Sequence, residues 1–113
     1  MTQEEFDTNL GIRLEKIRAV LGVKFKEYVR NDNPLHNFES GARITGETSA
    51  KVLDGFLLKH IISYRDILND LDEGKLPTKE RVEEKIGDII NYFILQESLL
   101  YDMIEKNSYE PIR

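Results

Sequence analysis

The chain contains no cysteine among its 113 residues. That excludes disulfides, thiolate metal sites and cysteine nucleophiles, and it fits a reducing compartment. It also contains no long apolar run. None approaches the roughly 18 residues that a membrane-spanning helix requires, so no membrane partner is expected. The opening "MTQEEFDTNL" has neither a basic start nor an apolar stretch and does not read as a signal peptide. An excess of positive charge is missing as well: the net charge is −5, which argues against a broad footprint on a nucleic-acid backbone. "RLEKIRAVLGVKFKEYVR" is locally basic, but Glu15 and Glu27 interleave and no recognition-helix arrangement follows. A DNA duplex is therefore not an expected partner. There are no internal repeats, no low-complexity segment and no alternating strand pattern. A cytoplasmic protein is the expectation.

What is present is helical spacing. Charged residues make up 33% and hydrophobic residues 40% of the chain, a composition that suits one globular domain over residues 1–113. Thr2 and Glu5 form a capping box. Phe6, Leu10, Leu14, Ile17 and Leu21 follow at steps of four, four, three and four, which is helical periodicity. Gly22 weakens the helix, and Val23, Phe25, Tyr28 and Val29 resume the pattern, so a helix is predicted over 3–29. "RNDNPLHNFESGARITGET" (30–48) reads as one long irregular stretch opened by turn formers, with short extra turns and with Phe38 and Ile44 as its anchors to the body. Long loops of this kind are often functional.

Thr48 or Ser49 caps a second long helix over 49–72. Val52, Phe56, Ile62, Tyr64, Ile67, Leu68 and Leu71 keep helical spacing there, and Leu53, Leu57, Leu58 and Ile61 widen the apolar arc. Gly74 and Pro77 end it. Thr78 caps a third helix over 78–106, and 107–113 reads as a tail. The expectation is an all-α bundle of three long helices. Their broad apolar arcs leave more surface than one short chain easily covers, so a homo-oligomer, a dimer or tetramer, is expected.

The stretch "VEEKIGDIINYFIL" (82–95) runs carboxylates into an apolar helix. At about 100° per residue, Glu84, Asp88 and Asn91 fall within about 60° of one another, opposite Ile86, Ile89, Ile90 and Phe93. Leu95 continues the same stripe, so this face does not simply lead to water. Oxygen ligands at such spacing can reach one hard cation, Mg²⁺ or Mn²⁺. Acids in a first helical turn also complement the macrodipole, which accounts for Glu80 and less well for Glu83 and Glu84. Asp88 lies beyond that influence, and an unpaired buried carboxylate is expensive. It needs a cation, a basic side chain or an opening to solvent. Lys59 is the expected partner from the preceding helix, either paired with Asp88 or touching a phosphate. His60, among Phe56, Tyr64 and Ile67, reads as a hydrogen-bonded core histidine.

"EEKIGDIINY" (83–92) resembles the E-E-x-x-G-D signature of the all-α MazG-like nucleoside triphosphate pyrophosphohydrolases. The order of "YVRNDNPLHNF" (28–38), "LLKHIISYRDIL" (57–68) and "EKIGDIINYFIL" (84–95) resembles a phage and prophage branch, relatives of the nucleotide-modification-associated domain. The resemblance covers roughly residues 15–100. It implies a helical bundle that self-associates and holds Mg²⁺ on helix carboxylates. It also implies hydrolysis of a (deoxy)nucleoside triphosphate to monophosphate and pyrophosphate in a phage-infected or lysogenic bacterial host. By position, it implies that Glu84 and Asp88 are the metal ligands and catalytic carboxylates. Lys59 is the implied phosphate contact, with Asn91 and Tyr92 supporting the site and Asp32 and Asn37 closing it from the loop. The chain departs from the family pattern at Lys85, where an acid is usual, and lacks an upstream E-x-x-E. Those departures carry the alternative: a nucleotide-binding or protein-interaction bundle without turnover.

Overall fold

The structure, a computed structural model, describes residues 1–23, 26, 30 and 32–106. It is all-α. The helices are α1 (Gln3–Ile17), α2 (His36–Thr45), α3 (Ser49–Asp72) and α4 (Lys79–Glu105). No strand occurs among the described residues, where extended pairing is limited to one isolated bridge between Arg30 and Asn33. No described helix is long and apolar enough to cross a membrane. The chain divides into two compact units, Met1–Pro34 and Leu35–Arg113.

In the first unit the capping box forms as the sequence implies. The Glu5 amide donates to the Thr2 hydroxyl at 3.1 Å, and the Thr2 amide donates to the Glu5 carboxylate at 3.4 Å. The α-helix ends at Ile17, short of the expected residue 29, and Arg18–Val23 winds as a π-helix. Gly22 lies in that widened turn, where the missing side chain lowers helix stability. The expected continuation through Phe25, Tyr28 and Val29 lies outside the described residues, as does the tail at 107–113. Asp32 has φ 59°. This left-handed conformation suits the short polar side chains of Asp and Asn, and the Asn33 amide closes the turn by donating to the Arg30 carbonyl at 2.9 Å.

The second unit holds the core. The stretch 30–48 is not one irregular loop, because residues 36–45 form α2. Propensity hid this helix: Gly41, Ile44 and Thr45 are poor helix formers, and Leu35 at the N-cap makes no side-chain cap. Packing makes up the difference. Phe38 and Ala42, one turn apart, are buried against the body, while Ile44, the other expected anchor, is 85% exposed. A Cβ at Gly41 would meet Val52 Cγ1 of α3 at 2.7 Å, so the glycine permits the close approach of the two helices. Gly46, at φ 77°, ends α2 and donates its amide to the Ala42 carbonyl at 2.9 Å.

α3 and α4 begin at Thr48 and Thr78, whose hydroxyls accept from the Lys51 and Arg81 amides. α3 stops at Asp72, and Gly74, at φ 81°, turns the chain ahead of Pro77. Leu53, Leu57 and Ile67 form the buried stripe of α3. Leu35, Phe38, Leu53 and Leu99 make the core cluster, with Ala50, Val52, Tyr92, Leu95 and Met103 packed on it. Each such side chain, when fully buried, contributes about 1.5–3 kcal/mol. In α4 the stripe that carries Asp88, Tyr92 and Leu95 faces inward. Phe93, expected on the buried side, is instead 54% exposed, and Val82, Leu100 and Ile104 are exposed with it.

Candidate functional site

The inward stripe of α4 meets α3 at His60. That residue lies three positions after Leu57 and seven after Leu53, which places it on the buried stripe. Its Nδ1 stands 3.3 Å from Asp88 Oδ2. Its ring stacks on Tyr92, one turn further along α4, with centroids 5.0 Å apart and planes inclined at 29°. The sequence expectation that Lys59 pairs with Asp88 is corrected here. Lys59 is one residue, about 100°, away from His60; it is exposed and makes no ion pair among the described residues. His60, which the sequence reads as a hydrogen-bonded core histidine, does meet a polar partner in Asp88, but it is only half-buried and its ring face stacks on Tyr92.

Phe56, Lys59, His60 and Tyr92 line an open hollow of about 290 Å³. Phe56 also meets the core through Phe38, with ring centroids 5.7 Å apart. The hollow is therefore lined by aromatic rings, one of which contacts the packed interior, and by a lysine. Burial, helped by the negative charge of Asp88, raises the Tyr92 phenol above its ordinary pKa of 10.0. The phenol thus stays protonated at neutral pH and is available as a hydrogen-bond donor. Asp88 keeps 38% of its side chain exposed, so its carboxylate remains reachable.

The other sequence-derived residues divide. Glu84, one turn before Asp88, is largely exposed and lies 3.3 Å from the Lys85 ammonium. Asn91 sits between Asp88 and Tyr92 in register with the core. Its Oδ1 is buried and accepts no hydrogen bond among the described residues, as is true of Gln96 Oε1. Gln96 uses its amide group to donate to the Ala50 carbonyl at 2.9 Å. Asn37 is exposed on the first turn of α2, and Asp32 belongs to the first unit. Asp70, on the same α3 stripe as Lys59, accepts from Arg81 at 3.4 Å.

No group of three or more His, Asp or Glu side chains that could hold a metal ion forms among the described residues. Two carboxylates one turn apart are nevertheless a usual protein contribution to Mg²⁺, whose remaining positions are filled by water and substrate phosphates. The donor set fits an ion brought with a phosphate ligand better than a resident one. The residues the sequence reading did not assign to the site are Phe56 and His60. The spacing 53, 57, 60 carried the signal for His60, because it continues the apolar stripe with a polar ring. Compared with known proteins, the chain matches no family model, no curated protein and no solved structure.

Proposed function

We propose that the hollow between α3 and α4 binds a nucleotide. The observation that carries this reading is a hollow lined by two aromatic rings, a histidine and a lysine, Phe56, Tyr92, His60 and Lys59, with the reachable carboxylate of Asp88 3.3 Å from His60. An aromatic face suits a base, and the Lys59 ammonium suits a phosphate. Glu84 and Asp88 would hold Mg²⁺ or Mn²⁺ together with the phosphate oxygens; the ion would supply charge neutralisation and Lewis acidity there. With the resemblance of "EEKIGDIINY", this supports hydrolysis of a (deoxy)nucleoside triphosphate to monophosphate and pyrophosphate, in phage or prophage nucleotide metabolism.

A second reading is favoured by two contacts. Glu84 faces Lys85 at 3.3 Å, and Asp88 faces His60 at the same separation. Both carboxylates therefore have protein partners that a metal must displace or share, which supports nucleotide binding without turnover. A panel of nucleoside triphosphates, with Mg²⁺ or Mn²⁺ and with EDTA, separates the readings. Metal-dependent pyrophosphate release supports the hydrolase. Saturable calorimetric binding without release supports the binding protein. Absence of binding by every nucleotide in the panel overturns both.

A further inference from the structure

We propose that His60 is a positioning residue: its Nδ1–H holds one oxygen of Asp88 and leaves the other for a divalent cation. This role rests on the reading that Asp88 shares such an ion with a nucleotide phosphate. It gives His60 a part in binding, where the sequence pattern pointed only to a place in the core.

The imidazole is held from two directions. Leu57, three residues before it, and Ile67, seven after, are both buried, so the backbone of α3 is fixed with His60 on the inward stripe. The face of the ring stacks on Tyr92, which itself packs on the core cluster. The ring then presents an edge to α4, and Nδ1 on that edge stands 3.3 Å from Asp88 Oδ2. His60 is the less exposed of the pair, 26% against 38%, so the histidine is the anchor and the carboxylate the group it orients. A contact of this length is long for a hydrogen bond, and such contacts in unligated sites tighten when the ligand arrives.

A carboxylate has two oxygens and can accept from several partners at once. A donor on Oδ2 therefore need not be displaced by a cation on Oδ1. A neutral imidazole gives its N–H and leaves the carboxylate charge in place, whereas an ammonium would cancel the charge that attracts the ion. Glu84 meets such an ammonium, Lys85 at 3.3 Å, and its side chain is 64% exposed. Asp88 is thus the oriented member of the two carboxylates. Outer partners of this kind fix a ligating group in its productive direction, and their loss typically weakens metal binding about 10–100-fold.

Two substitutions separate this role from stacking. His60→Asn keeps an N–H donor near the place of Nδ1 and loses the ring. His60→Phe keeps a ring to stack on Tyr92 and loses the donor. Calorimetry with Mn²⁺ and the panel of nucleoside triphosphates reads the affinity of each full-length variant, and melts in EDTA check that each is folded. His60→Gln, a longer donor, replaces His60→Asn if that variant does not fold. Affinity is expected to stay close to wild type with the amide and to fall about 10–100-fold in His60→Phe. Undiminished affinity in His60→Phe, or a loss with the amide as large as in His60→Phe, overturns the positioning role and leaves the nucleotide reading standing, because the wild type still binds. Absence of Mn²⁺-dependent binding by the wild type overturns the nucleotide reading and this role with it.

Discussion

His60 of α3 and Asp88 of α4 stand 3.3 Å apart, Nδ1 to Oδ2, with a quarter to two-fifths of each side chain still exposed. The contact joins the two longest helices at the edge of the hollow. Its half-exposed setting limits its energy: pairs of this kind contribute about 0–1 kcal/mol. Asp88→Asn is therefore expected to change stability in EDTA by no more than about 1 kcal/mol. It is also expected to remove any Mg²⁺-dependent nucleotide binding, because the amide lacks the charge a hard cation needs. Thermal melts with EDTA and with Mg²⁺ plus nucleotide check both halves. A large loss in EDTA, with no ligand-dependent shift in the wild type, would sink the metal-site reading.

Tyr92 supplies a test by pH. Its folded pKa is raised, first by burial and second by Asp88, above the ordinary 10.0. Below pH 10 the phenol is protonated in both folded and unfolded chains, so it gives no slope there. Above that pH the unfolded chain loses its proton first, and stability falls until the folded pKa is passed. Melting temperature is thus expected to decline from about pH 10 upward, with Tyr92→Phe showing a shallower decline. Tyrosinate absorbance should show a late-titrating component that is absent in Tyr92→Phe and moves earlier, though not fully, in Asp88→Asn. Titration of all tyrosines together would contradict the burial of this ring.

Asn91 carries an unmet polar atom beside the proposed site. Its buried Oδ1 accepts no hydrogen bond among the described residues, and an unmet acceptor costs on the order of 1–3 kcal/mol. Asn91→Leu keeps the branched shape and removes the unmet acceptor but adds volume, so it is expected to change stability by no more than about 1 kcal/mol in either direction while weakening the proposed nucleotide binding. Chemical denaturation and calorimetry of the same variant read the two effects. A strongly destabilised Asn91→Leu would mean that the amide is structural.

Gly41 tests the packing of α2. A methyl group there would meet Val52 Cγ1 at 2.7 Å, and overpacking of this kind costs about 1–3 kcal/mol. Gly41→Ala is expected to destabilise by that order, and Val52→Ala in the same chain to recover much of the loss. A double-mutant cycle with no coupling between the two positions would show that the helices separate freely.

Sequence alone determined the all-α class, the bounds of α3, those of α4 to within a residue, and the caps Thr2 and Thr78, while it left the α3 cap between Thr48 and Ser49. These are local: apolar periodicity, hydroxyl caps and a glycine–proline stop act within one or two turns of chain. Sequence also put Glu84, Asp88 and Asn91 on one stripe that does not simply lead to water, because Leu95 continues it. Only the tertiary structure decided which side chain answers Asp88. Lys59 and His60 are adjacent in the chain and differ by about 100° of helix rotation, so the choice depends on how α3 turns against α4. Leu53 and Leu57 set that rotation by burying themselves in the core, and His60 follows them while Lys59 faces out. The same holds for α2. Its residues have weak intrinsic preference for a helix, and burial of Phe38 and Ala42 beneath a glycine contact stabilises what local propensity leaves undecided.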